Sequence, residues 1–162
     1  VSRLARSVDL KVDGEWVWAD GLDLTDGIYD TDYMDELPVV SATPGVRQAL
    51  VEQQRSAGRS GVVMAGRDIG TVVFPAADHK FFLVASLDEK VRRRAAQYER
   101  RGERVDEEAM RKEVAVRDKV DMEREIAPLR PADDATVIDT DHLDLDQVVE
   151  RIVRKVLSPG PA

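Results

Sequence analysis

Gly66-Arg67-Asp68-Ile69-Gly70 sets a fork of guanidinium donors beside a carboxylate, with a glycine on either side of the pair. Arginine grips an anion through parallel N–H donors, and aspartate accepts from an amine or amide. The glycines would let the backbone bend close to something small without a β-carbon in the way. Two readings fit this pentapeptide equally well: a loop that meets a ligand, or an ordinary solvated Arg-Asp turn pair. Arg92, Arg93, Arg94, Arg100, Arg101 and Arg104 crowd the stretch around Gly102. In an acidic chain that density suits a mobile positive flap over a polyanion. A solvated helix face balanced by Glu99, Glu103 and Glu107 is the plainer alternative. Arg117, Asp121 and Arg124 stand at i, i+4 and i+7, so one helix would carry all three on one stripe. An exposed ion pair, worth about 0.2–0.5 kcal/mol, explains Arg117 with Asp121 but leaves Arg124 without a reason. Arg47, on an earlier helix, could join this group. His79 and His142 read as surface residues, and no HExxH or EF-hand spacing points to a metal.

The elements that must position these residues alternate. The apolar run Val62 to Ala65 predicts a central strand, with the Gly66–Gly70 loop at its carboxyl end, where open α/β sheets hold ligands. The continuous apolar run Lys80 to Ala85 predicts a strand covered on both faces, as in parallel sheets. Thr43 as N-cap and Pro44 at the first position open a helix that runs to Gly58. Further helices are expected from Leu87 to Arg101 and from Asp106 to Glu123. A strand over Ala135 to Asp139 and a helix over Leu145 to Leu157 follow. Near the N-terminus, Val8 to Val12 and Glu15 to Ala19 join through Asp13-Gly14, a strong hairpin signal. Residues 20–42 read as loop and short helical turns. Strand alternating with helix implies βαβ units and an α/β fold.

The 162 residues suit one domain. A 35% charged fraction and a net charge of −8 argue against a nucleic-acid binder. The bases of single strands would find only Tyr98 to stack on near the arginines. The chain has no cysteine, no apolar run long enough to span a bilayer and no signal-peptide pattern, so a cytoplasmic protein is expected.

Taken together, these motifs resemble the bacterial cytidylate (CMP/dCMP) kinases. The likeness rests on GRDIGTVVFP at 66–75, RRR at 92–94 with the lid after it, ERxIAPLxPADDAxVIDT at 123–140, and Pro44 to Leu50. It extends from about Gly21 to about Val153. It implies a P-loop-kinase-like parallel sheet flanked by helices, with a small inserted monophosphate-binding region at 1–42. The core would be 43–91, the lid and lid helix 92–122, the C-terminal core 123–157 and the tail 158–162, all in a single incomplete domain. The implied activity is phosphorylation of CMP or dCMP by ATP with Mg²⁺. Small-molecule nucleotides would be the partners of a monomer that binds neither nucleic acid nor membrane. By the same resemblance Arg47, Asp68 and Arg124 read the cytosine ring, and Arg67 holds the acceptor phosphate. Arg117 and Asp121 take the sugar and phosphate side. Arg93 and Arg94 belong to the lid and, with Arg117, form the catalytic set.

The departures are equally definite. No G-x-x-x-x-G-K-[ST] occurs, nor any Gly-Lys pair, so the loop that cradles ATP phosphates and the family's first strand are missing from these residues. The expectation is a C-terminal portion of a longer kinase, inactive alone. The alternative is a P-loop-less nucleotide-binding or regulatory module; a kinase for another monophosphate is a third reading. Ala65 replaces the usual acidic residue before GRD, Pro38 a common serine and Tyr29 a common arginine.

Overall fold

Asp20 and Gly21, both at positive φ (51° and 80°), turn the chain between two short strands in the first of its two units, Val1–Ala65 and Gly66–Ala162. The structure is a computed structural model that describes residues 1–13, 15–27, 37–58, 61–102 and 104–158, with the backbone alone at 37, 38, 42 and 57.

In the first unit, helix α1 (Ser2–Ser7) precedes strands β1 (Leu10–Asp13), β2 (Trp16–Ala19) and β3 (Leu22–Asp23), which form an antiparallel sheet in that order. The expected hairpin is present, with Leu10 opposite Ala19 and Asp13 opposite Trp16. Gly14 of its turn lies outside the described residues, as does Tyr29. Strand β3 was not expected. Its signal was a second Asp-Gly pair, Asp20-Gly21, whose positive φ values suit a two-residue hairpin turn. Helices α2 (Leu37–Ala42) and α3 (Pro44–Ala57) complete the unit. Thr43 is the N-cap of α3, with Pro44 at its first position, but the Thr43 hydroxyl donates to the Val39 carbonyl and caps nothing. Helix α1 approaches α3 at Gly45, where a β-carbon would stand 2.6 Å from Ser2 Oγ.

The strand expected at Val62–Ala65 does not form. A strand exists through its ladder to a neighbour, and among the described residues none is offered; Val63 is fully exposed. The Gly66–Gly70 loop therefore does not end a central strand. It leads into one π-helical turn, Ile69–Val73, opened by the Asp68 carbonyl, which accepts from the amides of Thr71, Val72 and Val73. Such turns are rare and occur often at functional sites.

Strands β4 (Phe81–Val84) and β5 (Thr136–Asp139) pair in parallel, Phe81 beside Thr136 and Val84 beside Asp139. Parallel neighbours need a long crossover, here supplied by helices α4 (Leu87–Arg100) and α5 (Glu107–Glu123). Both faces of β4 were expected to be covered, yet Leu83 and Val137 are about half exposed because the described sheet has only two strands. The core lies instead between α4 and α5: Val91, Ala95 and Met110 are buried, with Leu87, Tyr98, Val105 and Val114 against them. Helix α6 (Leu145–Leu157) starts in a capping box formed by Asp144 and Gln147. No described helix is long and apolar enough to cross a membrane.

Candidate functional site

Helices α4 and α5 pack through one apolar seam, and charged side chains flank it. Lys90, Arg93 and Arg94 recur at i, i+3 and i+4 on α4, so they emerge on one face. Helix α5 answers with Glu113, Arg117 and Asp118. Lys90 Nζ donates to Asp118 Oδ2 at 2.5 Å, and Arg94 Nη2 to Glu113 Oε1 at 2.9 Å. The Arg94 guanidinium also lies 5.8 Å from the centroid of the Tyr98 ring. A cavity of about 450 Å³ opens here, lined by Arg67, Lys90, Arg93, Arg94, Gln97, Val114, Arg117 and Asp118. Five cations face it and one carboxylate. Crowded positive charge of this kind raises the local concentration of anions and is relieved by one.

Arg67 reaches the cavity from the loop before the π-turn, and its Nε donates to Asp121 Oδ2 at 2.5 Å. Asp121 also faces Arg124 Nη1 at 3.7 Å. The ion pair that the spacing offers Asp121 with Arg117, one turn earlier on α5, gives way to pairing with a residue 54 positions back. Arg124 is no longer helical: it is the C-cap of α5, and its side chain is 11% exposed. Arg124 Nε donates to the Ala127 carbonyl at 2.5 Å. Ala127 has φ +52, a left-handed conformation that costs a residue with a β-carbon about 1–2 kcal/mol. The segment after α5 holds this strained shape while it grips Arg124. Asp68 is half-buried beside Arg67 but does not line the cavity. Arg47 belongs to the first unit, where its Nη1 reaches the Ser41 carbonyl at 3.4 Å.

Arg67, Arg93, Arg94 and Arg117 therefore line one cavity, with Asp121 and Arg124 linked behind Arg67. The arginines at 92–94, where the expected flap begins, are helical. They sit on α4 with carboxylate partners: Arg92 and Arg93 on Glu89, Arg94 on Glu113. Glu103, within the expected flap, lies outside the described residues. Lys90, Glu89 and Asp118 were missed from sequence. Lys90 had a signal, its spacing from Arg93 and Arg94; Asp118 had only its place beside Arg117.

A second hollow, about 670 Å³, lies at the starts of α4 and α6 and is lined by Ser86, Asp88, Glu89, Arg92, Asp141 and His142 among others. It is larger but mixed in charge, and the cationic cavity has the chemistry that the sequence motifs anticipate.

The glycines of the loop also meet the protein's own side chains. A β-carbon on Gly66 would stand 2.8 Å from Ile69 Cγ1, and one on Gly70 would stand 3.3 Å from Lys80 Cδ. Lys80 is a buried strut, 7% exposed, whose ammonium donates to the Pro75 carbonyl and to Asp134. At Gly66 the protein's own packing leaves no room for a β-carbon, whereas at Gly70 the Lys80 side chain would have to give by a few tenths of an ångström.

Comparison with known proteins gives a single direction. The family model described as cytidylate kinase matches residues 1–158. A bifunctional pantoate ligase/cytidylate kinase of Synechococcus sp. is 47% identical over 151 residues, which cover 90% of this chain and 28% of that protein. A cytidylate kinase of Geobacillus sp. is 44% identical over 144 residues, covering 88% of this chain and 64% of the relative. One from Streptococcus thermophilus is 45% identical over 148 residues, covering 89% and 66%. The chain thus spans about a quarter of the first relative and about two thirds of the other two.

Proposed function

The chain belongs to the cytidylate kinase family, and from that premise we propose that the protein transfers a phosphoryl group from ATP to CMP or dCMP. The observation that carries this reading is the cavity with Arg67, Lys90, Arg93, Arg94 and Arg117 on its wall. Phosphoryl transfer needs little covalent help from protein. It needs two nucleotides held in line, water excluded, and the charge on the transferring oxygens neutralised.

In this proposal Arg67, oriented by Asp121, takes the acceptor phosphate. Asp121 and Arg117 serve the sugar and phosphate side, and Arg93 and Arg94 with Arg117 face the transferring group. Asp68, Arg124 and Arg47 read the base. A carboxylate such as Asp68 accepts the exocyclic amine of cytosine, which uracil lacks, and a buried carboxylate left without that partner costs about 1–3 kcal/mol. The insert that recognises the monophosphate is assigned to residues 1–42.

Mg²⁺ is proposed to arrive with the donor, held by phosphate oxygens and water as is usual for this ion. Among the described residues no group of three His, Cys, Asp or Glu side chains is placed to hold a metal, so no step is assigned to a protein-held ion. Because the 162 residues contain no G-x-x-x-x-G-K-[ST], transfer is proposed for a form of the protein that includes such a loop, and monophosphate binding for this chain itself. The test is ADP release by the loop-containing form with CMP, dCMP and UMP, beside calorimetry of CMP on the chain. Turnover that prefers the cytidine acceptors supports the reading. Binding with no transfer would leave a nucleotide-binding module, and neither would end the proposal.

A further inference from the structure

Ser86-Leu87-Asp88-Glu89 has the spacing of a capping box, in which the glutamate at the fourth position returns a hydrogen bond to the backbone of the first. Half of that box forms: Glu89 N donates to Ser86 Oγ at 3.2 Å. The other half does not. Ser86 N donates at 2.6 Å to Asp141 Oδ1, from the loop after β5. Asp141 thus takes over the capping duty, and the Glu89 side chain is released for something else.

Glu89 turns inward. It is 8% exposed, one of two buried polar residues among the described ones, and Thr140 at 3% is the other. Glu89 Oε1 accepts from Arg93 Nε at 2.6 Å and from Arg92 Nη2 at 2.6 Å, while Oε2 accepts from Arg92 Nε at 2.7 Å. The two buried residues meet through Arg93. Its Nη1 donates to Thr140 Oγ1 at 3.1 Å and its Nη2 to the Thr140 carbonyl at 2.5 Å. Thr140 is fixed in turn, its amide and its hydroxyl both donating to the Val84 carbonyl at the end of β4 at 2.9 Å. One chain of hydrogen bonds therefore joins the first turn of α4, Arg93 and the far ends of both parallel strands.

Arg93 also lines the cationic cavity. A guanidinium among four like charges is pushed outward unless something behind it pulls back, and Glu89 is the carboxylate placed there. We propose that Glu89 is a positioning residue of the phosphoryl-transfer site: through the Glu89–Arg93–Thr140 link it holds Arg93 at the cavity wall, without touching nucleotide itself. This deepens the kinase reading and rests on it. Arg93 spends its donors on protein, so its part at the cavity is a fixed positive field rather than a mobile ligand. A fixed charge acts in the transition state without the reorganisation that a free side chain requires.

The experiment compares wild type, Glu89→Gln, Glu89→Asp and, as an equal charge change outside the site, Glu150→Gln on α6. In the loop-containing form, Glu89→Gln is expected to lower kcat at least tenfold while the KM for CMP stays within threefold, Glu89→Asp to recover part of the loss, and Glu150→Gln to match wild type. In parallel, the Arg93 side-chain Nε–Hε signal is followed by NMR on the chain itself. It is expected to resist exchange with water in wild type and to exchange quickly in Glu89→Gln. A kcat for Glu89→Gln within twofold of wild type, or a KM that rises alone, overturns the positioning role. So does an Arg93 signal that stays protected in Glu89→Gln. A wild type that releases no ADP with CMP removes the kinase reading instead, and the NMR comparison still decides whether Glu89 positions Arg93.

Discussion

Asp121 takes its hydrogen bond from Arg67, 54 residues back in the chain, and not from Arg117, one turn away on the same helix. The pair is partly exposed, 45% at Arg67 and 16% at Asp121, so its share of stability is only about 1 kcal/mol or less. Its larger effect is on orientation. Arg67, which lines the cavity, has its Nε engaged, and the side chain has already lost rotamer freedom of about 1–2 kcal/mol. Asp121→Asn should therefore lower CMP affinity about tenfold, a 1.4 kcal/mol effect, with little change in melting temperature. Calorimetry that finds CMP bound as tightly by the variant would remove this role for Asp121.

Stability should respond to acid through Glu89. Hydrogen bonds from Arg92, and then from Arg93, hold its carboxyl down from the ordinary 4.5 to about 2, against the opposing pull of desolvation. A carboxyl depressed in the folded state binds protons more readily when unfolded. Its contribution is complete above about pH 5 and is lost as pH falls from there toward 2. Melting curves of wild type and Glu89→Gln should differ at pH 6 and converge near pH 2. Asp134, lowered by its hydrogen bond from Lys80, acts in the same direction, so wild type itself should lose stability over this range. A gap between the two proteins that is constant from pH 6 to 2 would contradict the assignment.

Much of this architecture was legible because local chemistry decides it. Pro44 and Asp106 mark helix starts, and Asp13-Gly14 marks a hairpin. Val62–Ala65 shows the limit: apolar, β-branched residues are suited to a strand, but a strand needs a neighbour, and sequence does not say whether one lies alongside. Glu89 failed in the opposite way. Its spacing from Ser86 fits a local cap, and only the arrival of Asp141 from 55 residues away frees it for Arg93. The arginines of the site could be named from their motifs, whereas the carboxylates Glu89 and Glu113, which hold Arg93 and Arg94, and Asp118, which holds Lys90, could not. The partners of Glu113 and Asp118 are chosen by the packing of α4 on α5.

The loop glycines allow a test of packing against ligand approach. Gly66→Ala would press its methyl on Ile69, 2.8 Å from Cγ1 and 2.9 Å from Cδ1. Overpacking of this kind costs about 1–3 kcal/mol. Ile69→Ala in the same chain should restore most of that loss, because it removes the atoms that clash. Chemical denaturation of the two single variants and the double variant measures the coupling. Strict additivity would mean that the two residues do not constrain one another.

Arg67 and Asp68 are neighbours with separable duties, and the separation is measurable. Phosphate is common to every nucleoside monophosphate, so Arg67→Ala should weaken CMP and UMP alike, by about tenfold or more for one lost charge-assisted contact. Asp68 is proposed to meet the exocyclic amine, a group that CMP has and UMP lacks. Asp68→Ala should therefore weaken CMP about tenfold and leave UMP nearly unchanged, so that the preference between them collapses. The half-buried setting of Asp68 favours such discrimination, because a carboxylate shielded from water loses more when its partner is missing. Its carbonyl is tied to three amides of the π-turn, so the backbone that carries the side chain has little freedom to seek another partner. Competition binding with both nucleotides on all three proteins settles the matter. If Asp68→Ala loses CMP and UMP equally, Asp68 supports the loop and does not read the base.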